Sequence, residues 1–302
     1  MTRKLLFAFL FSFIQRSFSV VGLCILLPAV SSAQVIAAGG NHSLSVCSDN
    51  TARSWGFNQH GQLGDGTTIN RSIPVQVNFI TGITGTGGSI DHSLFLKNDG
   101  TVWACGWNQY GQLGDGTNIE RYTPVQVNLL TGITSVVCGA SHSLFLKNDG
   151  TVWACGSNQY GQLGDGTTTD RYIPVNVTGL TGITAVSCGY NHSLFVKNDG
   201  TVWVCGYNGS GQLGDGTTTD RWTPVQVNSL TGISAIAGGA DHSLFLKNDG
   251  TVWACGLNGF GELGDGTTTE RDTPVLVSGL TGITAVACGG RHSLFQKNDN
   301  TV

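Results

Sequence analysis

Beyond residue 33 the chain alternates short apolar runs with polar stretches rich in glycine, and this order returns every 50 residues. An Asn-Asp-Gly segment separates the second and third runs of most copies. Asp-Gly between two apolar runs is a strong hairpin signal, because the turn needs residues that tolerate a positive φ. The pattern therefore predicts four short strands per repeat. In one copy these strands are residues 133–138, 142–147, 151–155 and 174–177.

The repetition is nearly invariant at the level of single residues. The tripeptide His-Ser-Leu recurs at His42, His92, His142, His192, His242 and His292. The hexapeptide GQLGDG begins at Gly61, Gly111, Gly161 and Gly211, and Gly261 opens the variant GELGDG. Self-similarity at a fixed period is the signature of a repeat architecture. A His, Cys or Asp that occurs once per repeat is therefore first a candidate for the scaffold.

The hairpin turn can be checked by comparing the repeats. Its last position is glycine in the middle copies, from Gly100 to Gly250, but Asn50 and Asn300 occupy it in the first and last copies. Asparagine is the usual replacement for glycine at a positive φ. Each exchange is therefore expected to preserve the same turn.

Large apolar side chains occupy both faces of the second strand. Leu144 and Leu146 share one face, whereas Phe145 lies on the other. A two-layer sandwich would leave one of these faces in water, but a four-stranded blade between two sister blades buries both. Radial repetition of such blades is the β-propeller. The fold predicted here is all-β, with one four-stranded blade per repeat.

A family resemblance rests on the repeated motifs G-x-x-H-S-L, W-x-C-G-x-N-x-x-G-Q-L-G-D-G-T and R-x-[TI]-P-V. Together they resemble the RCC1 repeat (regulator of chromosome condensation) over residues 35–302, in the manner of secreted bacterial RCC1-like propellers. The resemblance implies a seven-bladed ring. This chain has six His-Ser-Leu strands but five G-[QE]-L-G-D-G loops. We expect five full repeats and a truncated sixth, and thus a fragment of such a ring.

The first 33 residues differ from the repeats. They combine Arg3 and Lys4 with apolar runs and end in small residues up to Ala33, which is typical of a secretory signal peptide. We predict a signal peptide over residues 1–33 that is cleaved before Gln34, and a propeller domain over residues 34–302. The protein is therefore expected to be secreted, displayed at the cell surface or periplasmic.

An uncleaved membrane anchor is the alternative for this leader. Because Arg16 interrupts the apolar stretch, no run reaches the ~20 residues of a spanning helix. The later repeats contain no comparable apolar segment. The mature chain is therefore expected to have no membrane span.

The charge argues against nucleic-acid partners. The leader contains three of the 15 basic residues and none of the 19 acidic ones, so the mature chain has a net charge of −7. A net acidic protein repels phosphate backbones. Charged residues make up only 11% of the chain and glycine contributes 45 residues, which excludes a charged disordered chain and a helical bundle.

Repeated histidines could suggest a ring of metal ligands. A metal needs ligands within ~2.0–2.3 Å of one point, whereas equivalent positions in neighbouring blades lie roughly 10 Å or more apart. We expect a buried ring of histidines whose N–H groups bond neighbouring backbone carbonyls, and no metal. His60 lies outside the series.

Cysteines fall into two series with two possible roles. One series lies on the third strand (Cys105, Cys155, Cys205, Cys255) and the other on the first (Cys138, Cys188, Cys288). Within a blade the second strand separates the two series by about 9–10 Å, too far for a disulfide, which needs Cα atoms within ~7 Å. Bridges between blades at an offset of 33 residues remain an alternative to small buried thiols.

No catalytic group of residues can be recognised apart from the residues that recur in every repeat. The aspartates of the G-[QE]-L-G-D-G loops stand alone between two glycines, which favours turns that bond their own backbone over calcium ligation. The arginines at the start of R-x-[TI]-P-V are expected to pair with such acids or with carbonyls. No hydrolase, zinc-protease or P-loop motif occurs, and we predict a protein that is not an enzyme and needs no cofactor.

The repeat leaves a few positions free to vary, and these are rich in aromatic residues. We predict that they lie in loops and form a surface that binds a protein or a carbohydrate. The alternative is that they only pack loop against loop. The candidate residues are Phe57, His60, Trp107, Tyr110, Tyr122, Tyr160, Tyr172, Tyr190, Tyr207, Trp222 and Phe260.

The function expected from the sequence is therefore a secreted, non-enzymatic binding scaffold. The family resemblance adds two alternatives. Some secreted bacterial members look like protein inhibitors of enzymes. The founding member acts as a guanine-nucleotide exchange factor on a nuclear GTPase and binds chromatin, although a signal peptide would remove this chain from such a partner.

Overall fold

The computed structural model describes residues 35–302, and all regular structure in that range is β. The predicted leader, residues 1–33, lies outside the described residues. Blade 1 consists of β1 (Ile36–Ala38), β2 (His42–Val46), β3 (Ala52–Gly56) and β4 (Arg71–Gln76). Blade 2 consists of β5 (Ile83–Gly88), β6 (His92–Lys97), β7 (Val102–Gly106) and β8 (Arg121–Gln126). Blade 3 consists of β9 (Ile133–Cys138), β10 (His142–Lys147), β11 (Val152–Gly156) and β12 (Arg171–Asn176).

The remaining strands repeat this order. Blade 4 consists of β13 (Ile183–Cys188), β14 (His192–Lys197), β15 (Val202–Gly206) and β16 (Arg221–Gln226). Blade 5 consists of β17 (Ile233–Gly238), β18 (His242–Lys247), β19 (Val252–Gly256) and β20 (Arg271–Leu276). A two-stranded sheet follows, with β21 (Ile283–Cys288) and β22 (Ser293–Lys297). The predicted five full repeats and partial sixth are confirmed.

Each blade is an antiparallel meander whose strands pair in chain order. In blade 3, Leu144 of β10 pairs with Val137 of β9 on one side and with Ala154 of β11 on the other. The first strands of successive blades contact one another, so they form the inner wall of the propeller. The last strand of each blade is the outermost.

The outer strand was predicted too short. It was expected at residues 174–177, but β12 begins at Arg171, three residues before the proline. A β-bulge between Ala154 and Gly156 lets Gly156 pair with Arg171, which extends the ladder. The third strand likewise runs one residue further than expected, to Gly156.

The hydrophobic core lies between blades. Phe145 of blade 3 is fully buried in one cluster with Leu94 and Val127 of blade 2, whereas Leu144 shares a cluster with Phe195 of blade 4. Burying one such phenylalanine contributes up to roughly 3 kcal/mol. This arrangement confirms that both faces of a blade are covered.

The predicted turn exchange is also confirmed. Asn50 and Asn300 have φ values of 59° and 65°, and Gly150 at the equivalent position has a φ of 76°. All three residues therefore adopt the left-handed conformation that the turn requires.

The repeated histidines link neighbouring blades. Nε2 of His142 lies 3.0 Å from Oγ of Ser193 in the next blade. The same contact joins His42 to Ser93 at 2.8 Å and recurs at the other junctions. The predicted partner, a backbone carbonyl, was wrong, because the ring bonds a serine hydroxyl that lies between it and the carbonyl.

The serine hydroxyl fixes the tautomer of the ring. Ser193 Oγ donates its only proton to the carbonyl of Gln162 at 2.7 Å, so it accepts a proton from His142. The imidazole is therefore protonated on Nε2 and neutral. Because His142 and Gln162 both belong to blade 3, the serine of blade 4 holds the ring and the long loop of the preceding blade together.

A buried asparagine organises each G-[QE]-L-G-D-G loop. Asn158 Oδ1 accepts a hydrogen bond from the amide of Leu163 at 3.0 Å. Its Nδ2 donates to Asp165 Oδ1 and to the carbonyls of Thr167 and Thr169, each at 3.1 Å. This asparagine is absent from the predicted candidates, although its recurrence in W-x-C-G-x-N was a visible signal.

The loop aspartates and arginines have the scaffold role that was predicted. Asp165 Oδ1 accepts from the amide and hydroxyl of Thr167, and Oδ2 accepts from Arg171 Nε at 2.7 Å. Burial raises the pKa of Asp165, but the bonds from Thr167 and Arg171 outweigh burial and hold that pKa below its ordinary value. The carboxylate therefore stays ionised in its loop.

The cysteines form no disulfide within the described residues. β10 lies between Cys138 on β9 and Cys155 on β11, as expected. Burial raises the pKa of the Cys155 and Cys188 thiols. Cys155 Sγ lies 3.5 Å from the carbonyl of Gln112, so this thiol packs beside the loop of the preceding blade.

Candidate protein-binding face

The meander places two kinds of connection at opposite ends of the blades. One end, here called the long-loop face, carries the connections between first and second strands and between third and fourth strands. In blade 3 these are residues 139–141 and 157–170. The other end, here called the turn face, carries the hairpin turns and the links between blades. In blade 3 these are residues 148–151 and 177–182.

Charge is segregated between the two ends. The loop aspartates and their arginines neutralise one another on the long-loop face. Of residues 35–302, Arg291 is the one further Arg or Lys on this face, against eight other carboxylates. These are Asp91, Glu120, Asp170, Asp220, Asp241, Glu262, Glu270 and Asp272.

The turn face is balanced by comparison. Its six aspartates are matched by five lysines and Arg53, and the charged atoms of Lys97 and Asp99 lie 3.4 Å apart. The net charge of −7 on residues 35–302 therefore resides on the long-loop face. A field of one sign over one face favours partners of the opposite sign.

Three of the candidate aromatic residues do not lie in loops. Tyr122, Tyr172 and Trp222 are the second residues of the outer strands β8, β12 and β16. The loop prediction was wrong for them, because the bulge extends each outer strand towards the long-loop face. Their side chains are 45%, 42% and 54% exposed.

These outer-strand residues also receive the loop of the preceding blade. The amide of Gly166 donates to the carbonyl of Trp222 at 2.9 Å. A Cβ on Gly161 would lie 2.5 Å from the Cα of Trp222, and the φ of Gly161 is 80°. The glycines of the GQLGDG motif therefore allow close approach between blades.

Most other aromatic candidates contact one another on the long-loop face, either within one loop or across a blade boundary. The rings of Trp107 and Tyr110 meet edge to face with centroids 5.4 Å apart, and His60 of blade 1 lies 6.0 Å from Trp107. The ring centroids of Tyr160 and Tyr207 lie 4.9 Å apart. These contacts agree with the packing alternative, although each ring keeps part of its surface in solvent.

Phe57, Tyr190 and Phe260 complete the candidate set. Phe57 is half-buried, and its amide donates to the carbonyl of Asn41 at 2.8 Å. Tyr190 is half-buried, and its carbonyl accepts from the amide of Ala140 at 3.1 Å. Phe260 is 73% exposed. All three lie in connections of the long-loop face, as predicted.

Two carboxylates of the long-loop face bond a glutamine from the long loop of the preceding blade. Gln62 Nε2 donates to Asp91 at 3.3 Å, and Gln212 Nε2 donates to Asp241 at 3.5 Å. Burial raises the pKa of both aspartates. This pairing was not predicted, and its signal is a fixed separation of 29 residues between the Gln of GQLGDG and the residue before His-Ser-Leu.

A cavity of about 280 Å³ follows the inner strands. Its wall includes Val137, Cys138, Ser187, Cys188 and Ile236. In the part of the chain that the structure describes, no group of three or more His, Cys, Asp and Glu side chains could hold a metal. Nor does that part contain a helix with the length and apolar character needed to cross a membrane.

These features define a class: a β-propeller whose blades are joined by His-Ser contacts and whose long loops pack on the outer strand of the next blade. The sequence model of the RCC1-like domain matches residues 24–232 and 91–302. The chain belongs to the RCC1-like domain family.

Solved structures agree with this assignment. Human WBSCR16 is similar with a TM-score of 0.77 and 26% identity, covering 86% of this chain and 70% of that one. Yeast RCC1 (Prp20), in its complex with Kap60, gives a TM-score of 0.76 at 21% identity, covering 86% of this chain and 66% of that one. Prp20p from Saccharomyces cerevisiae, studied for its binding to Gsp1p and histones, gives a TM-score of 0.65 at 20% identity, covering 88% and 83%.

Proposed function

We propose that this chain is a secreted, non-enzymatic scaffold that binds a protein partner through its long-loop face. The observation that carries the proposal is the segregation of both net charge and clustered aromatic side chains to that face. Tyrosine and tryptophan on a rigid framework are typical of protein-binding surfaces. Carbohydrate is the other partner class compatible with such rings.

The repeated polar residues support a role without catalysis. His142 is committed to Ser193, and Asp165 is committed to Arg171. Catalysis needs unlike groups gathered at one point, whereas these groups serve the same structural purpose in every blade. Inhibition of an enzyme by occlusion is one form that binding through this face would take.

Guanine-nucleotide exchange is the second candidate. It is favoured by the likeness to Prp20p, which was studied for its binding to Gsp1p. At 20% identity this likeness carries the fold alone, and the predicted leader argues for a different compartment. Export of the chain therefore separates the two candidates.

Export is tested by fusing residues 1–40 to a reporter enzyme in the producing cell. We expect the fusion to leave the cytoplasm and to be cleaved before Gln34. The control is the same fusion without residues 1–33, which should stay in the cytoplasm. Cytoplasmic retention of both fusions contradicts secretion and favours the exchange-factor candidate.

Binding through the long-loop face is tested by site-specific photocrosslinking in the full chain. A photoreactive phenylalanine analogue replaces Tyr110 or Tyr160 on that face, and Asn148 or Asn198 on the turn face as matched controls. We expect a partner adduct in the culture fluid from the first pair and none from the second. Replacing Tyr110, Tyr160 and Trp222 together by alanine should reduce recovery of that partner at least about tenfold, the loss expected for central aromatic anchors. Adducts from the turn face alone contradict the proposal.

A further inference from the structure

Two tyrosines form a partly exposed ring pair where blades 3 and 4 meet on the long-loop face. The centroids of Tyr160 and Tyr207 lie 4.9 Å apart with the ring planes inclined by 56°. Both side chains are half-buried, so each ring keeps an accessible surface. This arrangement, here called the tyrosine pair, offers an aromatic platform at the edge of two loops.

Three carboxylates lie near enough to the tyrosine pair to act electrostatically on Tyr207. Asp220 is held in place because its Oδ1 accepts from the amide of Asn208, the residue after Tyr207, at 2.8 Å. Asp241 is held by Gln212. Burial raises the pKa of Tyr207, and the negative charges of Asp241, Asp220 and Glu270 raise it further. The platform therefore lies in a negative field that its own loops produce.

Two other junctions of this chain combine an aromatic ring with a basic side chain. Tyr160 occupies the same place in its repeat as His60 and Phe260 do in theirs. The guanidinium of Arg291 lies over the Phe260 ring, 5.2 Å from its centroid. His60 contacts Glu120 at 2.8 Å and the ring of Trp107 at 6.0 Å. At both junctions a basic side chain of this chain lies against an aromatic ring.

The junction of the tyrosine pair differs in this respect. The residue that corresponds to Arg291 is Asn191, and the residue that corresponds to His60 is Tyr160 itself. The aromatic rings and the carboxylates are present at this junction, but neither of the two equivalent positions holds a basic residue. An arginine from a partner suits this place better than a lysine, because a planar guanidinium stacks on a ring while its N–H groups bond carboxylates at the ring edge.

We infer that the tyrosine pair, together with Asp220, Asp241 and Glu270, binds an arginine side chain of a basic segment on the protein partner. This inference rests on the proposed function and names the chemistry of the partner. The net charge of −7 on the same face attracts such a segment over a longer range. The contact of Arg291 with Phe260 is the intramolecular counterpart of the proposed contact.

The test uses the full chain and three labelled peptides of equal length, followed by fluorescence anisotropy. One peptide is rich in arginine, the second has citrulline at every arginine, and the third has lysine. Citrulline keeps the planar shape but removes the charge. We expect the arginine peptide to bind about tenfold or more tightly than the citrulline peptide, since a stacked and partly desolvated cation is stabilised by roughly that factor. The lysine peptide should rank between them.

Variants of the chain locate the contact. Tyr160→Leu combined with Tyr207→Leu keeps apolar packing between the loops but removes the aromatic faces, and should weaken binding of the arginine peptide about tenfold. Asp220→Asn should also weaken it. The matched control is Asp199→Asn, which removes one carboxylate from the turn face and should leave the affinity within about twofold.

Three results would overturn the inference: equal affinity for the arginine and citrulline peptides, equal losses from Asp220→Asn and Asp199→Asn, or unchanged binding by the double tyrosine variant. These results differ from failure of the proposed function. If photocrosslinking at Tyr110 still captures a partner while the arginine peptide does not bind, the face binds protein through other chemistry. If the chain binds a glycan array and no peptide, both the inference and the protein partner are wrong.

Discussion

Acidification is expected to unfold the propeller with a midpoint at about pH 5, which is above the pH range in which ordinary carboxylates become protonated. The cause is the ring of buried, neutral histidines. Burial lowers the pKa of His42 and His242 from 6.5 to about 4, and that of His92, His142 and His192 from 6.5 to about 3. A protonated ring would place a second N–H on Nδ1, and Nδ1 of His142 has no hydrogen-bond partner.

The direction of the effect follows from proton linkage. As the pH falls from 6.5 towards about 4, the unfolded chain binds protons at these five histidines and the folded chain does not, so stability is lost. Each proton that the unfolded chain binds and the folded chain does not bind lowers the free energy of unfolding by about 1.4 kcal/mol per pH unit. Five histidines therefore amount to about 10 kcal/mol at pH 5, within the range of a domain's whole stability.

The carboxylates modify this loss without reversing it. The pKa of Asp165 and of its equivalent Asp115 lies below the ordinary value of 3.8, so their contribution to stability is lost only at lower pH. Burial raises the pKa of Asp91 and Asp241, which opposes the histidine effect. Two raised carboxyl groups oppose five lowered histidines, so acid still unfolds the chain.

Urea unfolding at several pH values, followed by tryptophan fluorescence and far-UV circular dichroism, measures this effect. The free energy of unfolding should be flat above about pH 7.5 and should fall steeply below about pH 6.5. The slope of the unfolding free energy against pH gives an independent check, because it reports the number of protons taken up on unfolding. We expect this number to be several per chain. A free energy of unfolding that stays constant from about pH 7 to pH 5 contradicts the prediction.

Asn158→Ala is expected to destabilise blade 3 by about 3 to 5 kcal/mol. The substitution leaves the buried amide of Leu163 and the carbonyls of Thr167 and Thr169 without the bonds that Asn158 supplies. The buried Leu163 amide costs about 1–3 kcal/mol when it is unpaired, and the carbonyls of the half-buried Thr167 and the exposed Thr169 add smaller losses. The effect should extend into blade 4, because the amide of Gly166 in the same loop bonds the carbonyl of that blade's Trp222.

The matched control is Asn148→Ala, which changes an exposed residue of the neighbouring hairpin turn and should alter stability by less than about 0.5 kcal/mol. Asn158→Asp tests the direction of the bonds, since it retains an acceptor for Leu163 but places a second carboxylate beside Asp165, where Nδ2 now lies at 3.1 Å. Urea unfolding and hydrogen exchange at the Leu163 amide measure the losses. Equal stability of Asn158→Ala and Asn148→Ala would contradict the role of the buried asparagine.

The repeat and its strands could be predicted because their signals are local. The Asn-Asp-Gly turn, the β-branched runs and the period of 50 residues each act within one copy. The start of the outer strand at Arg171 could not be predicted in the same way. It depends on a bulge between Ala154 and Gly156, and a bulge interrupts the two-residue alternation from which strands are predicted.

The candidate face was predicted in part, for a related reason. Variation among the repeats identified aromatic positions, such as Tyr160 and Trp222, that the repeated framework does not dictate. It could not show which of these positions lie in a strand and which in a loop. Nor could it show which rings meet. Whether the long-loop face binds a partner, and whether the ring has seven blades, stay predictions.

The sequence by itself determined the all-β fold, the number of complete blades, the turn geometry at Asn50 and Asn300, and the scaffold role of the repeated aspartates and arginines. Only the tertiary structure decided that His142 bonds Ser193, that Gln212 bonds Asp241 and that Tyr160 meets Tyr207. The physical reason is distance along the chain. These partners belong to different blades, and they come together only because the buried faces of neighbouring blades pack against each other.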